Sequence, residues 1–155
     1  MSASADAAGV ATDGAPDAAA YDLHVLVGRL DKASERILQE GHGTSYRRFL
    51  ALLAVRDLEP VTQRGLAVRL GVSEPSASRM ATVLAGDGLV DVRPHPAGGN
   101  RRRVTLTGRG RELVSAGLAS LEGRFAALVD RAGVSYSTYA AQTRALVTAL
   151  GPGAS

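Results

Sequence analysis

The stretch that most constrains the fold is "QRGLAVRLGVSEPSASRMATVLAGDG", residues 63–88. Two short helical patterns meet there with only "GVS" between them. Thr62 stands where the first needs an N-cap hydroxyl, Gly71 where a helix closes through a left-handed residue, and Ser73 where the second must be capped. Two helices joined by so tight a glycine turn form a helix-turn-helix arrangement. On a helical wheel the second helix puts Ala77, Ala81 and Leu84 on one side with Met80 beside them, the face that must pack on its partner. Arg79 points nearly opposite, flanked by Pro75, Thr82 and Val83, with Ser76 and Ser78 at the edges. A small, hydroxyl-bearing and lightly basic face of this kind fits a DNA major groove, where Arg and Ser hydrogen-bond base edges or phosphates.

The rest of the chain frames this unit. Residues 1–17 are small, polar and aperiodic and read as a disordered tail. A first helix is expected over residues 18–43, with Leu23, Val27, Leu30, Ser34, Ile37 and Leu38 at three- and four-residue spacing, stopping at "EGHG". A second follows Thr44 or Ser45 and carries Phe49, Leu50, Leu52, Leu53 and Val55; Pro60 ends that region. After the second short helix, "GLVDVRPHPAGGNRRRVTLT" (88–107) reads as a two-stranded hairpin whose Pro- and Gly-rich tip projects three consecutive arginines. Thr107 then caps a long helix with a stripe of Leu113, Val114, Leu118, Leu121, Phe125, Leu128 and Val129. "AGVS" breaks it, Ser135 caps a last helix with Tyr139, Leu146, Val147 and Leu150 on one side, and residues 151–155 fray.

Charge singles out the same middle segment. Residues 1–20 carry net −3, residues 21–61 and 112–155 are neutral, and residues 62–111 hold nine Arg against Glu74, Asp87 and Asp91, a net of +6. The whole excess of the chain, +3 overall, therefore lies in one segment of a neutral scaffold, the footprint expected for a polyanion partner. By alternation Arg101 and Arg103 share one face of their strand and Arg102 takes the other, so at least one guanidinium is exposed whichever face packs. Three adjacent like charges suit solvent or a polyanion, where each Arg offers forked donors to phosphate. Asp91 is expected to pair with one of them and stiffen the hairpin.

Cysteine is absent, which removes disulfides, thiolate metal sites and cysteine nucleophiles. The sequence shows neither an 18-residue apolar run nor a basic, apolar leader pattern, so the expected location is the cytoplasm, with no membrane partner. No glycine-rich phosphate loop, nucleophile elbow or HExxH helix occurs, so an enzyme is not expected. Glu40 and His42 are close in sequence, but zinc takes three or four protein ligands, and the other histidines, His24 and His95, are scattered; neither a metal site nor a cofactor is expected. His95, between two prolines, reads as a phosphate contact or a solvent-exposed side chain.

From Phe49 to Leu113 the order "FLALLAV", "LAVRLGVSEPSASRMATVLAGDGLVDVRP" and "VTLTGRGREL" resembles the MarR family of winged helix-turn-helix transcriptional regulators. The resemblance lies in "LGVS", the "SxSR" of Ser76 to Arg79, "GLV", the wing length and the closing "LT..G". It implies a mainly α fold, a winged helix-turn-helix with a two-stranded β wing (residues 44–111), flanked by N- and C-terminal dimerisation helices (18–43 and 112–150). It also implies a homodimer whose two heads bind a pseudopalindromic operator. Carried over by position, Ser73, Ser76, Ser78 and Arg79 fall where the recognition helix meets DNA, Gln63 and Arg64 where the supporting helix approaches phosphates, and Arg101, Arg102 and Arg103 where the wing enters the minor groove. Thr82 and Arg93 complete the candidate DNA-binding set. Gly98, Gly99 and Asn100 replace the family's acidic wing residue and paired arginines, so no one of the three wing arginines is singled out. Val83 stands where many relatives have Arg. Glu74 suits the helix dipole but opposes a nearby phosphate.

Family members often bind a small anionic or phenolic effector between the dimerisation helices and the head; Tyr21, His24, Arg47, Arg48 and Phe49 are the candidates to line such a cleft, for an aromatic or anionic ligand. The alternatives to an operator-specific repressor are a sequence-neutral DNA-binding, architectural protein and a non-catalytic interaction module on the same fold.

Overall fold

The structure is a computed structural model that describes residues 19–99 and 101–151; the expected disordered tail, residues 152–155 of the expected frayed end, and Asn100 lie outside the described residues. In chain order the elements are α1 (Ala19–His42), α2 (Tyr46–Leu58), β1 (Val61–Thr62), α3 (Gln63–Leu70), α4 (Glu74–Gly86), β2 (Val90–Pro94), β3 (Arg102–Leu106), α5 (Gly108–Arg131) and α6 (Tyr136–Leu150).

One local device starts five of the six helices. The side-chain oxygens of Ser45, Thr62, Ser73, Thr107 and Ser135 each accept the backbone N–H three residues on, satisfying a donor that the helix cannot. Between α3 and α4 the turn closes as the sequence requires. Gly71 takes φ +63°, a left-handed conformation that costs a side-chain-bearing residue, and the Val72 N–H returns to the Ala67 carbonyl at 3.1 Å.

The expected two-stranded wing is present as β2 and β3, and a short third strand, β1, joins it. The sheet order is β1-β3-β2, all antiparallel, with Val61 opposite Val104 and Thr62 opposite Arg103 on one side of β3, and Val90 to Pro94 opposite Leu106 to Arg102 on the other. A two-residue strand is too short to show alternation, and Thr62 doubles as the cap of α3, so β1 leaves no periodic signal in the sequence.

Ala51, Leu52 and Val55 of α2, Leu66 and Ala67 of α3, Ala77, Ala81 and Leu84 of α4, Leu89, Val90, Val104 and Leu106 of the hairpin, and Val114 of α5 form one buried core. It lies within the helix-turn-helix and sheet and fixes α4 by the face the wheel assigned. Two glycines let α5 approach. A methyl group at Gly110 would overlap the Leu89 carbonyl, and one at Gly117 would overlap the Phe49 ring. At the base of the wing the Glu59 carboxylate accepts the Leu106 N–H at 2.8 Å and the Arg111 guanidinium, tying the end of α2 to β3 and to the first turn of α5. Partial burial works against its ionisation, but the hydrogen bonds from Arg111 and Leu106 and the Arg111 charge outweigh it and hold Glu59 below the ordinary carboxylate value.

The terminal helices contrast with this head. Leu38 is the buried residue of α1, and α6 has none. Tyr21, Leu23 and Val27 of α1 and Leu146, Val147 and Leu150 of α6 are exposed, the last three by 63–67%. Phe125 of α5 packs edge-on against Tyr136 and tilted against Tyr139, with centroids 6.2 and 5.3 Å apart, which anchors the start of α6 while its far end stays uncovered.

Candidate nucleic-acid interface

The exposed face of α4 is organised by a chain of hydroxyls. The Ser73 hydroxyl, already the cap, donates to the Ser76 oxygen at 2.9 Å, and Ser76 accepts from Arg79 Nη2 at 3.1 Å. Ser73 and Ser76, expected to face DNA directly, are thus engaged in closing the first turn and holding the guanidinium of the exposed Arg79. Thr82 is exposed and donates to the Ser78 carbonyl at 3.0 Å; Ser78 is half-buried.

Two hollows flank α4. On the side of the sheet, a cleft of about 460 Å³ is lined by Thr62, Gln63, Arg64, Glu74, Arg101 and Arg102, so the supporting helix, the head of α4 and the tip end of β3 converge. On the other side Arg47 and Arg48 join Ser76, Arg79, Met80 and Val83 around a hollow of about 320 Å³. Spacing along α2 places Arg47 and Arg48 in its first turn but not beside α4, because that depends on how the two helices pack.

Within the wing the Gly98 N–H meets the His95 carbonyl at 2.9 Å and the His95 N–H meets the Arg101 carbonyl at 2.9 Å. Gly98 and Gly99 supply positive φ at the tip. His95 is turned inward to this loop, its Nδ1 accepting the Ala97 N–H at 3.1 Å, so it has a local role beyond the two that the sequence suggested. Asp91 also differs from expectation. Its carboxylate lies 4.0 Å from Arg93, two residues along the same strand face, rather than pairing with one of the three consecutive arginines. Arg93 and Arg103 are direct cross-strand neighbours, an arrangement of like charges that weakens an isolated hairpin and that a bound anion relieves. Among the described residues Arg64, Arg79, Arg101, Arg102, Arg103 and Arg109 make no ion pair, whereas Arg69, Arg93 and Arg111 do.

A third hollow, about 670 Å³, lies between the end of α1, the start of α2, the end of α4 and the first turns of α5. His42, Thr44, Arg48, Asp87, Arg109 and Glu112 supply its polar groups. Arg48 and Asp87 are paired at 3.2 Å, and the His42 Nε2 lies 2.9 Å from the Ser120 hydroxyl. The Thr44 hydroxyl oxygen is buried without a hydrogen-bond partner among the described residues. Of the five residues offered as candidates for an effector cleft, Arg48 lines this hollow. Phe49 is wholly buried because α5 offers Gly117 in place of a side chain and the ring fills that space; Arg47 faces the hollow beside α4; Tyr21 and His24 are exposed on the first turns of α1. The described residues contain no cluster of three or more potential metal ligands. No described helix is long and apolar enough to cross a membrane.

Comparison with known proteins agrees with this geometry. The profile of the MarR family matches residues 42–101, from the end of α1 through the head to the wing. The HTH-type transcriptional regulator MT0903.1 of Mycobacterium tuberculosis is 34% identical over 97 residues, which cover 63% of this chain and 67% of that protein. The chain belongs to the MarR family. Its fold matches the crystal structure of a MarR-family regulator from Rhodococcus sp. RHA1 with a TM-score of 0.72 at 20% identity, over 89% of this chain and 99% of that one. CouR of Rhodococcus jostii RHA1, crystallised bound to p-coumaroyl-CoA, matches with a TM-score of 0.71 at 20% identity, over 84% of this chain and 89% of that one. This chain's place in the MarR family makes it a DNA-binding transcriptional regulator.

Proposed function

We propose that this protein is a ligand-responsive repressor that binds a pseudopalindromic operator as a homodimer and occludes transcription. The observation that carries the reading is the set of unpaired guanidiniums on α3, α4 and the wing, which surround an exposed helix face small enough to enter a major groove. On this reading Arg79 reads a base edge, presented by Ser73 and Ser76, while Gln63, Arg64, Arg93 and the wing arginines hold phosphates or the adjoining minor groove, and Thr82 and Ser78 add polar contacts.

The exposed apolar ends of α1 and α6 support dimerisation, since a second copy would cover the surface that one chain leaves open. Arg48 supports a response to a small aromatic or anionic effector. It lines both the 670 Å³ cleft and the hollow beside α4, and its partner Asp87 is the C-cap of the recognition helix. An anion that drew Arg48 away from Asp87 would loosen the end of that helix.

Replacing Arg79 with alanine is expected to reduce preference for the operator over random duplex by about 1–3 kcal/mol, the scale of one base contact. Equal losses on both DNAs, measured by competition binding, would show that Arg79 holds backbone alone.

A further inference from the structure

Among the polar groups at the head of α4, Glu74 is the one whose presence a polyanion partner makes hardest to explain. It is exposed in the first turn, and Pro75 beside it stiffens that turn. Its carboxylate lines the cleft shared with Gln63, Arg64, Arg101 and Arg102, yet it makes no hydrogen bond and no ion pair among the described residues. The neighbouring hydroxyls of Ser73 and Ser76 are already engaged with each other, with the backbone and with Arg79. Glu74 is thus an uncommitted, acceptor-only group among cations that draw phosphates toward it.

A carboxylate held near phosphates opposes binding unless its oxygens receive donors. The first residues of a recognition helix are those that reach base edges, and the major groove offers donors from two bases alone, the N4 amino group of cytosine and the N6 amino group of adenine. Adenine carries the N7 acceptor beside its amino group, which repels the second carboxylate oxygen. Guanine offers N7 and O6, and thymine O4, which repel both. Cytosine presents its amino group beside an apolar C5–H. We propose that Glu74 is a specificity-determining residue that selects one cytosine in each operator half-site through its N4 amino group. The inference rests on the operator-binding reading above.

The test is selection of bound duplexes from a randomised library by the full-length protein and by Glu74→Gln, followed by sequencing. Glutamine is uncharged and suits adenine, donating to N7 and accepting from N6. The expected result is a palindromic motif for the wild type with one invariant cytosine per half-site, and a roughly tenfold shift toward adenine at that position alone in the variant. The melting temperature should fall by only a few degrees, since the Ser73 cap remains and only the helix-dipole contribution of one exposed charge is lost. The same motif from both proteins would overturn the assignment. A uniform rise in affinity for all duplexes without a change of motif would overturn it too, showing that Glu74 only repels phosphate. Failure of the wild type to enrich any motif would instead overturn the operator-binding reading on which this inference stands.

Discussion

Replacing Arg101, Arg102 and Arg103 together with glutamate is expected to weaken binding to every duplex and to flatten its salt dependence. Each guanidinium that neutralises a phosphate contributes about 0.9 to the slope of log affinity against log salt, so three of them account for roughly 2.7 per protomer and about 5 in a dimer. A loss of that size, on the order of 100-fold or more at moderate salt, falls alike on operator and random DNA, because phosphate contacts carry no sequence information. The hairpin should survive the change. Arg103 lies directly opposite Arg93, so Arg103→Glu replaces a like-charge cross-strand pair with an opposite one, which favours strand pairing. Loss of binding could then not be blamed on a melted wing, and circular dichroism would check that. An unchanged salt slope would remove the wing from the interface and leave α3 and α4 as its sole cationic contacts.

Phe49→Ala is expected to destabilise the protein by about 3–5 kcal/mol, a large share of the stability of a domain of this size. The ring is wholly buried on α2 and fills the space that Gly117 leaves on α5, close to Leu38 of α1, so its loss opens a cavity where three helices meet. The denaturant midpoint should fall with little change in the slope of the transition. Because an oligomer couples stability to concentration, both proteins should be compared at one concentration. A loss below about 1 kcal/mol would mean that the ring is dispensable to packing, as a cleft-lining side chain would be.

Phe49, which the sequence offers both to the apolar face of α2 and to a cleft and which the structure places in the core, shows where sequence reasoning stops. Local rules were legible wherever cause and effect lie within one turn: the hydroxyl caps at Ser45, Thr62, Ser73, Thr107 and Ser135, the left-handed Gly71, and the buried face of Ala77, Ala81 and Leu84. Features that depend on packing between distant segments were not. Nothing in the helical pattern of α2 tells that Phe49 faces a glycine 68 positions away, or that Arg47 and Arg48 flank α4. The third strand was hidden because two residues carry no period. Among the candidate DNA-binding residues the segment was evident from charge and its concentration between neutral ends, but the commitments of individual groups were not. Ser73 reads as a cap and Ser76 as a helix-edge hydroxyl until their bond to one another and that of Ser76 to Arg79 are seen, and Asp91 as a partner of the three arginines until the structure sets it beside Arg93.

The most direct single test is fluorescence anisotropy of the purified protein on duplexes tiled across the DNA flanking its own gene, with scrambled controls, at two salt concentrations. Selective binding to one pseudopalindrome, with a preference over scrambled DNA of roughly 10³-fold or more that persists at the higher salt, is the expected result. Uniform binding to all duplexes that collapses together as salt rises would contradict operator recognition and identify a sequence-neutral DNA-binding protein instead.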